Sequence, residues 1–366
     1  MPTEEENSAN RKFFLSFIYL IPTYLLYFII LYTIFFSRVK FKFSGSFIQL
    51  FGYSALIYLF SSFAYYFEIR VVKTPLFLPF VKSWGIRNFL ITILHTFIWY
   101  LADATHLFNL ALSFNRFTVF LLRQNYQKFW NKNLRKVLAF CFLFPVLLVW
   151  HIPFTDIYVA QNNVFDSHSL RYVTEQNEDA ISWMNNPRNT AILLSISSVL
   201  SLFMNLYVLV RLIIHKLCSK KEVTQIQGNI TPQDIKLFIY TLLLFGTEVI
   251  NCCQQVIIFN NSHLREVNPF SQMDFNPYHT RVSLQYSFVT ATEDYYFILS
   301  ILDIQCYLID IITLAPAWFI LFTHKILRRQ IGIFFGLVKY EEPKIPTILF
   351  NSNPRNSAGR IVPITI

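Results

Sequence analysis

The stretch NFLITILHTFIWYLADATHLFNLALSFNRFTVFL, residues 88–121, decides the fold. Only Asp103 and Arg116 carry a full charge in it. A bilayer's hydrocarbon layer is about 30 Å thick, and a helix needs roughly 20 mostly apolar residues to cross it. Helices and closed barrels are the only structures that satisfy every backbone polar group in lipid. This run is long and lacks the two-residue alternation of a barrel strand, so it reads as a spanning helix.

Working outward, comparable apolar blocks lie near 13–36, 47–67, 134–154, 188–214, 235–259 and 294–322, which makes seven with 88–121. The expected fold class is all-α, an integral membrane bundle of seven transmembrane helices. Of the 366 residues 54% are hydrophobic and only 14% charged, and 40 Phe and 20 Tyr suit lipid-facing surfaces and interfacial belts. Just 8 Gly argue against tightly crossed helices, so bulky side chains should meet between them. The five Cys fall within spans or at one end of a span and suggest no disulfide framework. Acidic Glu4, Glu5 and Glu6 precede a first block too long for a signal peptide, so that block is expected to be retained.

Seven spans place the termini on opposite sides, and basic residues resist translocation. With the amino terminus outside, the 31 Lys and Arg divide about two to one in favour of the cytosolic side. The net charge of +10 is then a topology signal, and no nucleic-acid partner is needed to explain it. The expected organisation is an extracellular segment 1–12, a seven-helix bundle 13–322 and a cytosolic tail 323–366. Residues 324–338 of the tail pair Lys325, Arg328 and Arg329 with Ile326, Leu327, Ile331 and Phe334, the pattern of an amphipathic helix lying on membrane lipid. The segments 155–187 and 260–293 are long polar outer loops able to cap a cavity.

No HExxH, GxSxG, paired CxxC or phosphate-cradling glycine loop occurs, so enzyme chemistry, a cofactor and a metal are not expected. Polar residues inside the spans are more telling. His95, Trp99, Asp103 and His106 recur at i, i+4, i+8 and i+11 and share one helical face. Ionisable groups in lipid must face the bundle or water, so this face looks inward, toward either a ligand or a hydrogen-bond network among helices. Glu248, with Gln254 and Gln255, and the pair Asp303 and Asp310 are further inward candidates. No Lys or Arg is expected at the depth of these carboxylates, which leaves each other, the histidines and trapped water as partners. A proton relay or cation site competes here with ordinary packing-level hydrogen bonding.

At the end of the third block, Ala111-Leu112-Ser113-Phe114-Asn115-Arg116 is followed by Tyr126 and Trp130 in a Tyr-x-x-x-Trp pattern. The first block holds Pro22-Thr23-Tyr24-Leu25-Leu26-Tyr27, the fourth Pro145, and the seventh runs from Asp310 to Pro316. In this order the motifs resemble those of the nematode serpentine receptors of class gamma, over about residues 13–335. The resemblance implies a chemosensory G-protein-coupled receptor, in which Asn115 and Arg116 stand where rhodopsin-like receptors carry Asp-Arg-Tyr. The chain departs from the rhodopsin-like pattern in lacking Asn-Pro-x-x-Tyr in the seventh span and the usual cysteine pair outside.

The reading that follows is a small-molecule ligand bound by His95, Trp99, Asp103, His106, Glu248 and Asp303 between the third, sixth and seventh helices. A heterotrimeric G protein would meet Asn115, Arg116, Lys128, Lys132, Arg135, Lys216, Lys220 and Lys221, charges equally suited to anionic inner-leaflet lipid. Arg116 could instead serve only as an interfacial anchor. Asn260 opens a glycosylation sequon in the third outer loop. A proton or cation transporter, or a ligand-gated channel working through the intramembrane carboxylates, is the alternative, though no internal repeat supports it. An odorant channel with its amino terminus inside is disfavoured by the basic-residue asymmetry.

Overall fold

A computed structural model describes residues 4–36, 45–71, 74–83, 89–154, 157–161, 172–176, 186–218, 238–250, 252–253, 295–323 and 325–334. Its helices are α1 (Glu4–Phe35), α2 (Ser46–Tyr65), the short α3 (Leu78–Ser83), α4 (Phe89–Leu122), α5 (Tyr126–Val149), α6 (Asn186–Cys218), α7 (Phe238–Ile250), α8 (Tyr295–Thr323) and α9 (Lys325–Phe334). Windows long and apolar enough to cross a membrane lie in Asn10–Phe35, Ser46–Tyr65, Phe89–Phe154 and Arg188–Ile214. Side chains such as Ile18, Phe28, Phe63, Leu143 and Phe203 are largely exposed on the outer faces of these helices. In water such a surface would be a liability. In lipid it is matched to its solvent.

The helix α4 is the centre of the bundle, because α2, α5 and α6 all pack on it. Leu101, Ala104, Phe108 and Leu112 of α4 meet Leu50, Phe51 and Tyr58 of α2 in one continuous apolar core. The helices α4 and α6 run parallel, since Thr190 bonds Asp103 near one end and the Tyr207 ring lies 5.0 Å from that of Phe117 near the other. Large side chains such as Phe51, Tyr58 and Phe108 are buried alongside small ones such as Ala55 and Ala104, and Gly52 marks a close approach. A Cβ there would come within 3.1 Å of both Ile34 and Phe35, so α1 and α2 approach closely at that point.

Three local features add to the sequence reading. The turn between α4 and α5 is short, because Arg123 adopts φ 44 in the left-handed region and the chain reverses within Arg123–Asn125. As a result α5 starts at Tyr126, ahead of the apolar block at 134. The loop before α6 holds an antiparallel pair, β1 (Ile157–Gln161) and β2 (Tyr172–Gln176), with Ile157 opposite Gln176 and Gln161 opposite Tyr172. β1 lies against α4, so the hairpin marks one end of the bundle. Finally, Ile309–Phe322 of α8 and Leu327–Ile333 of α9 are bent by 87° to one another. Leu327 of α9 is buried while Arg328 and Arg329 are exposed, the division an interfacial helix needs.

Candidate functional site

The polar face of α4 is built from the helical period: His95, Trp99, Asp103 and His106 fall on one side, and Asn109, three residues further, continues it. The first two partly satisfy one another, since Trp99 Nε1 donates to His95 Nε2 at 2.8 Å. Each of the next three reaches a different helix. Asp103, 1% exposed, accepts a 2.8 Å hydrogen bond from Thr190 Oγ1 on α6. His106 Nδ1 stands 3.9 Å from Glu248 Oε1 on α7. Asn109 Oδ1 accepts a hydrogen bond from the Tyr58 hydroxyl on α2.

Asp103, His106 and Glu248 are therefore brought together, with His95 and Trp99 toward the hairpin end of the same face. Asp303 stands on α8, but its side chain lies outside the described residues, as do Gln254, Gln255 and Asn260. Sequence reasoning missed Asn109, Tyr58 and Thr190. It also missed the buried Ser197, Ser198, Ser201 and Asn205 of α6, whose helical spacing puts a polar stripe along the α4-facing helix. Among the described residues His106 Nδ1, Glu248 Oε1, Asn109 Nδ2, Ser198 Oγ and Ser201 Oγ have no hydrogen-bond partner. A buried polar group left unanswered is costly.

One expectation is corrected. A basic residue does reach an intramembrane carboxylate: Arg70 forms an ion pair with Asp310 of α8, and the Tyr19 hydroxyl of α1 donates to the same oxygen at 2.5 Å. Arg70 gets there because α2 continues as a π-helical turn, Tyr66–Val71, and its guanidinium lies 5.6 Å over the Tyr66 ring and 5.9 Å over that of Tyr307. Asp310 consequently fastens three helices together.

At the other end of α4, Asn115 is fully buried in a ring of hydrogen bonds. Its Nδ2 donates to Ser46 Oγ at 3.0 Å, the Tyr126 hydroxyl donates to its Oδ1 at 3.1 Å, and Ser46 and Tyr126 are 2.7 Å apart. With Ser46 donating to Tyr126 the ring closes in one direction, and every polar atom in it is satisfied. One turn on, Trp130 Nε1 donates to Thr118 Oγ1 at 2.8 Å. Arg116 does not snorkel outward: it is 4% exposed, with its guanidinium 3.8 Å over the Phe47 ring. Lys128, Lys132 and Arg135 project from the first turns of α5 and are exposed, so they stand on a helix and not in a loop. Lys216 is on α6 with its side chain outside the described residues, where Lys220 and Lys221 also fall.

The pairing of Asn115-Arg116 with Tyr126 and Trp130 is a single structural unit, and it falls within a stretch, residues 13–274, that matches the family described as Srg family chemoreceptor. The chain belongs to that family. It is an integral membrane protein of a seven-transmembrane chemoreceptor family. Among curated relatives it is similar to serpentine receptor class gamma-4 of Caenorhabditis elegans, at 25% identity over 173 residues, 45% of this chain and 52% of that protein. Class gamma-9 of the same organism is 27% identical over 144 residues, 39% of this chain and 43% of that one. Class gamma-20 is 27% identical over 135 residues, 37% of this chain and 34% of the relative. The aligned part spans about half the length of the first of these relatives and less of the others. Both polar clusters on α4 lie within the stretch of this Srg chemoreceptor that matches the family.

Proposed function

We propose that this Srg chemoreceptor is a G-protein-coupled sensory receptor that binds a small molecule inside the helix bundle. The ligand sits against Asp103, His106 and Glu248, with His95 and Trp99 toward the hairpin end and Asp303 contributed by α8. The supporting observation is the facing pair His106 and Glu248, which joins α4 to α7 through polar atoms that nothing else among the described residues satisfies. A ligand that completes this contact in one arrangement of α7 and not in another shifts the balance between the two, as differential affinity requires.

The end of α4 that carries Asn115 and Arg116 is then cytosolic, and the amino terminus is outside. Lys128, Lys132 and Arg135, with Lys216, Lys220 and Lys221, form the contact for a heterotrimeric G protein, and membrane lipid surrounds the remainder. Release of Arg116 from Phe47 exposes its guanidinium to that partner. The site of action is the plasma membrane of a sensory neuron. The transporter reading is weakened by Asp310, whose charge is already matched by Arg70.

The test is second-messenger output in cells expressing the chain with an outer-surface tag on its amino terminus, under a panel of small volatile and water-soluble compounds. A tag accessible from outside and a response that Arg116→Ala reduces at equal surface expression support the proposal. A tag accessible only after permeabilisation defeats it.

A further inference from the structure

One face of α5 changes from cationic to apolar along a single helical stripe. Phe140, Leu143, Val146 and Leu147 are exposed on it, and beside a bilayer such a stripe faces hydrocarbon. At 3.6 residues per turn, Lys128, Lys132, Arg135 and Lys136 fall on the same side of the helix, within an arc of about 100°. All four are exposed, while Trp130, Cys141 and Pro145 are buried on the opposite side and fix the rotation of α5. The cations therefore point sideways, into the headgroup layer that borders the hydrocarbon, as well as toward the end of the bundle. No Asp or Glu occurs from Ala104 to Thr155, and no ion pair among the described residues involves these four side chains. From Lys128 to Lys136 they climb about 12 Å of helix at 1.5 Å per residue, so they present charge at several depths and not in one plane. On α9, by contrast, the Arg328 guanidinium is drawn to the Phe322 carbonyl.

We propose that this stripe binds an inositol lipid of the inner leaflet that carries several phosphates on its headgroup, with its acyl chains lying along Phe140, Leu143 and Leu147. Clustered Lys and Arg at a membrane surface attract anionic lipid. A singly charged serine headgroup offers its charge at one depth. An inositol ring with phosphates beyond its phosphodiester offers charge at several, which matches the ladder from Lys136 to Lys128. The inference rests on the receptor reading only for the cytosolic side of this end of α5, and it gives a role to Lys136, which that reading leaves unused. Lys128, Lys132 and Arg135 belong to both, so the headgroup lies at the rim of the G-protein contact.

The test measures the fluorescence anisotropy of labelled phosphatidylinositol bisphosphate as the full chain, purified in a neutral detergent, is added. Binding should saturate, and the unlabelled lipid should displace it far more effectively than phosphatidylserine or the soluble headgroup inositol trisphosphate. Lys132→Gln with Lys136→Gln should weaken the affinity about tenfold, and Lys132→Arg with Lys136→Arg should retain it. Arg328→Gln with Arg329→Gln removes the same charge from α9 and should change the affinity little. Displacement by phosphatidylserine as effective as by the inositol lipid overturns the proposal, as does an equal loss from the α9 pair. Displacement by inositol trisphosphate as effective as by the lipid overturns the part assigned to the apolar stripe. No lipid binding, with G-protein coupling reduced by Lys132→Gln and Lys136→Gln in neutral lipid, gives the stripe to the transducer and overturns the lipid site. Detergent has no sides, so a wrong topology leaves this measurement unchanged and the two failures are distinguishable.

Discussion

Tyr126 donates a 3.1 Å hydrogen bond to Asn115 across the turn that reverses α4 into α5, and Ser46 of α2 closes the pair into a ring. Three helices are thereby held in register at the end where Arg116 is buried.

Removing the Tyr126 hydroxyl breaks two of the ring's three bonds and leaves Asn115 Oδ1 buried without a donor. Tyr126→Phe should lower stability by about 1–3 kcal/mol. Asn115→Leu should cost a similar amount, and the double variant should cost less than the sum, because the two changes remove one shared interaction. Thermal melting of the three variants in nanodiscs checks this, and strict additivity would show that the ring is not a unit.

Arg70 and Asp310 are 240 residues apart in sequence and paired in the bundle. Removing either charge strands the other at low dielectric, so Asp310→Asn or Arg70→Met should each cost about 3 kcal/mol. Replacing both, as Arg70→Met with Asp310→Leu, should recover most of that loss. Surface expression and melting temperature of the single and double variants read the outcome.

Gly52 allows α1 and α2 to touch. A Cβ at that position meets Ile34 Cγ2 and Phe35 Cζ at 3.1 Å, a contact that requires the neighbours to yield. Gly52→Val should therefore destabilise the bundle by about 1–3 kcal/mol, with Gly52→Ala milder. Equal melting temperatures for Gly52→Val and the parent chain would contradict the close approach.

Arg123 holds a left-handed backbone with φ 44, a region that penalises any Cβ. Arg123→Gly should stabilise the turn by about 1 kcal/mol through relief of that strain, offset in part by glycine's greater freedom in the unfolded chain. A melting temperature that falls in Arg123→Gly would place the value of this residue in its charge and not in its conformation.

The helical fold and part of the Asp103–His106–Glu248 cluster were legible in the sequence because both follow from local period. Apolar blocks long enough to span lipid need no partner to be recognised. Asp103 and His106 share a helical face by spacing alone, and the i+3 step could have extended that face to Asn109. The partners were not legible, because Tyr58, Thr190 and Arg70 are chosen by how neighbouring helices rotate against α4 and α8. Arg70 in particular sits beside Glu68 and Lys73 and reads as a loop charge. Only the π-helical turn at Tyr66–Val71 carries it back to Asp310. The hairpin was hidden for a different reason: ten residues, 162–171, separate its strands, and no tight-turn signal joins them.

A receptor whose buried carboxylates are not a conduit signals without passing ions, which can be measured by reconstituting the purified chain in sealed lipid vesicles with a G protein on the accessible face. Nucleotide exchange and ion flux are then measured together while active compounds from the cell-based panel are added. The expected result is ligand-stimulated exchange that Arg116→Ala removes, with no accompanying proton or cation flux. Flux that depends on Asp103 or Glu248 and proceeds without nucleotide exchange would contradict it.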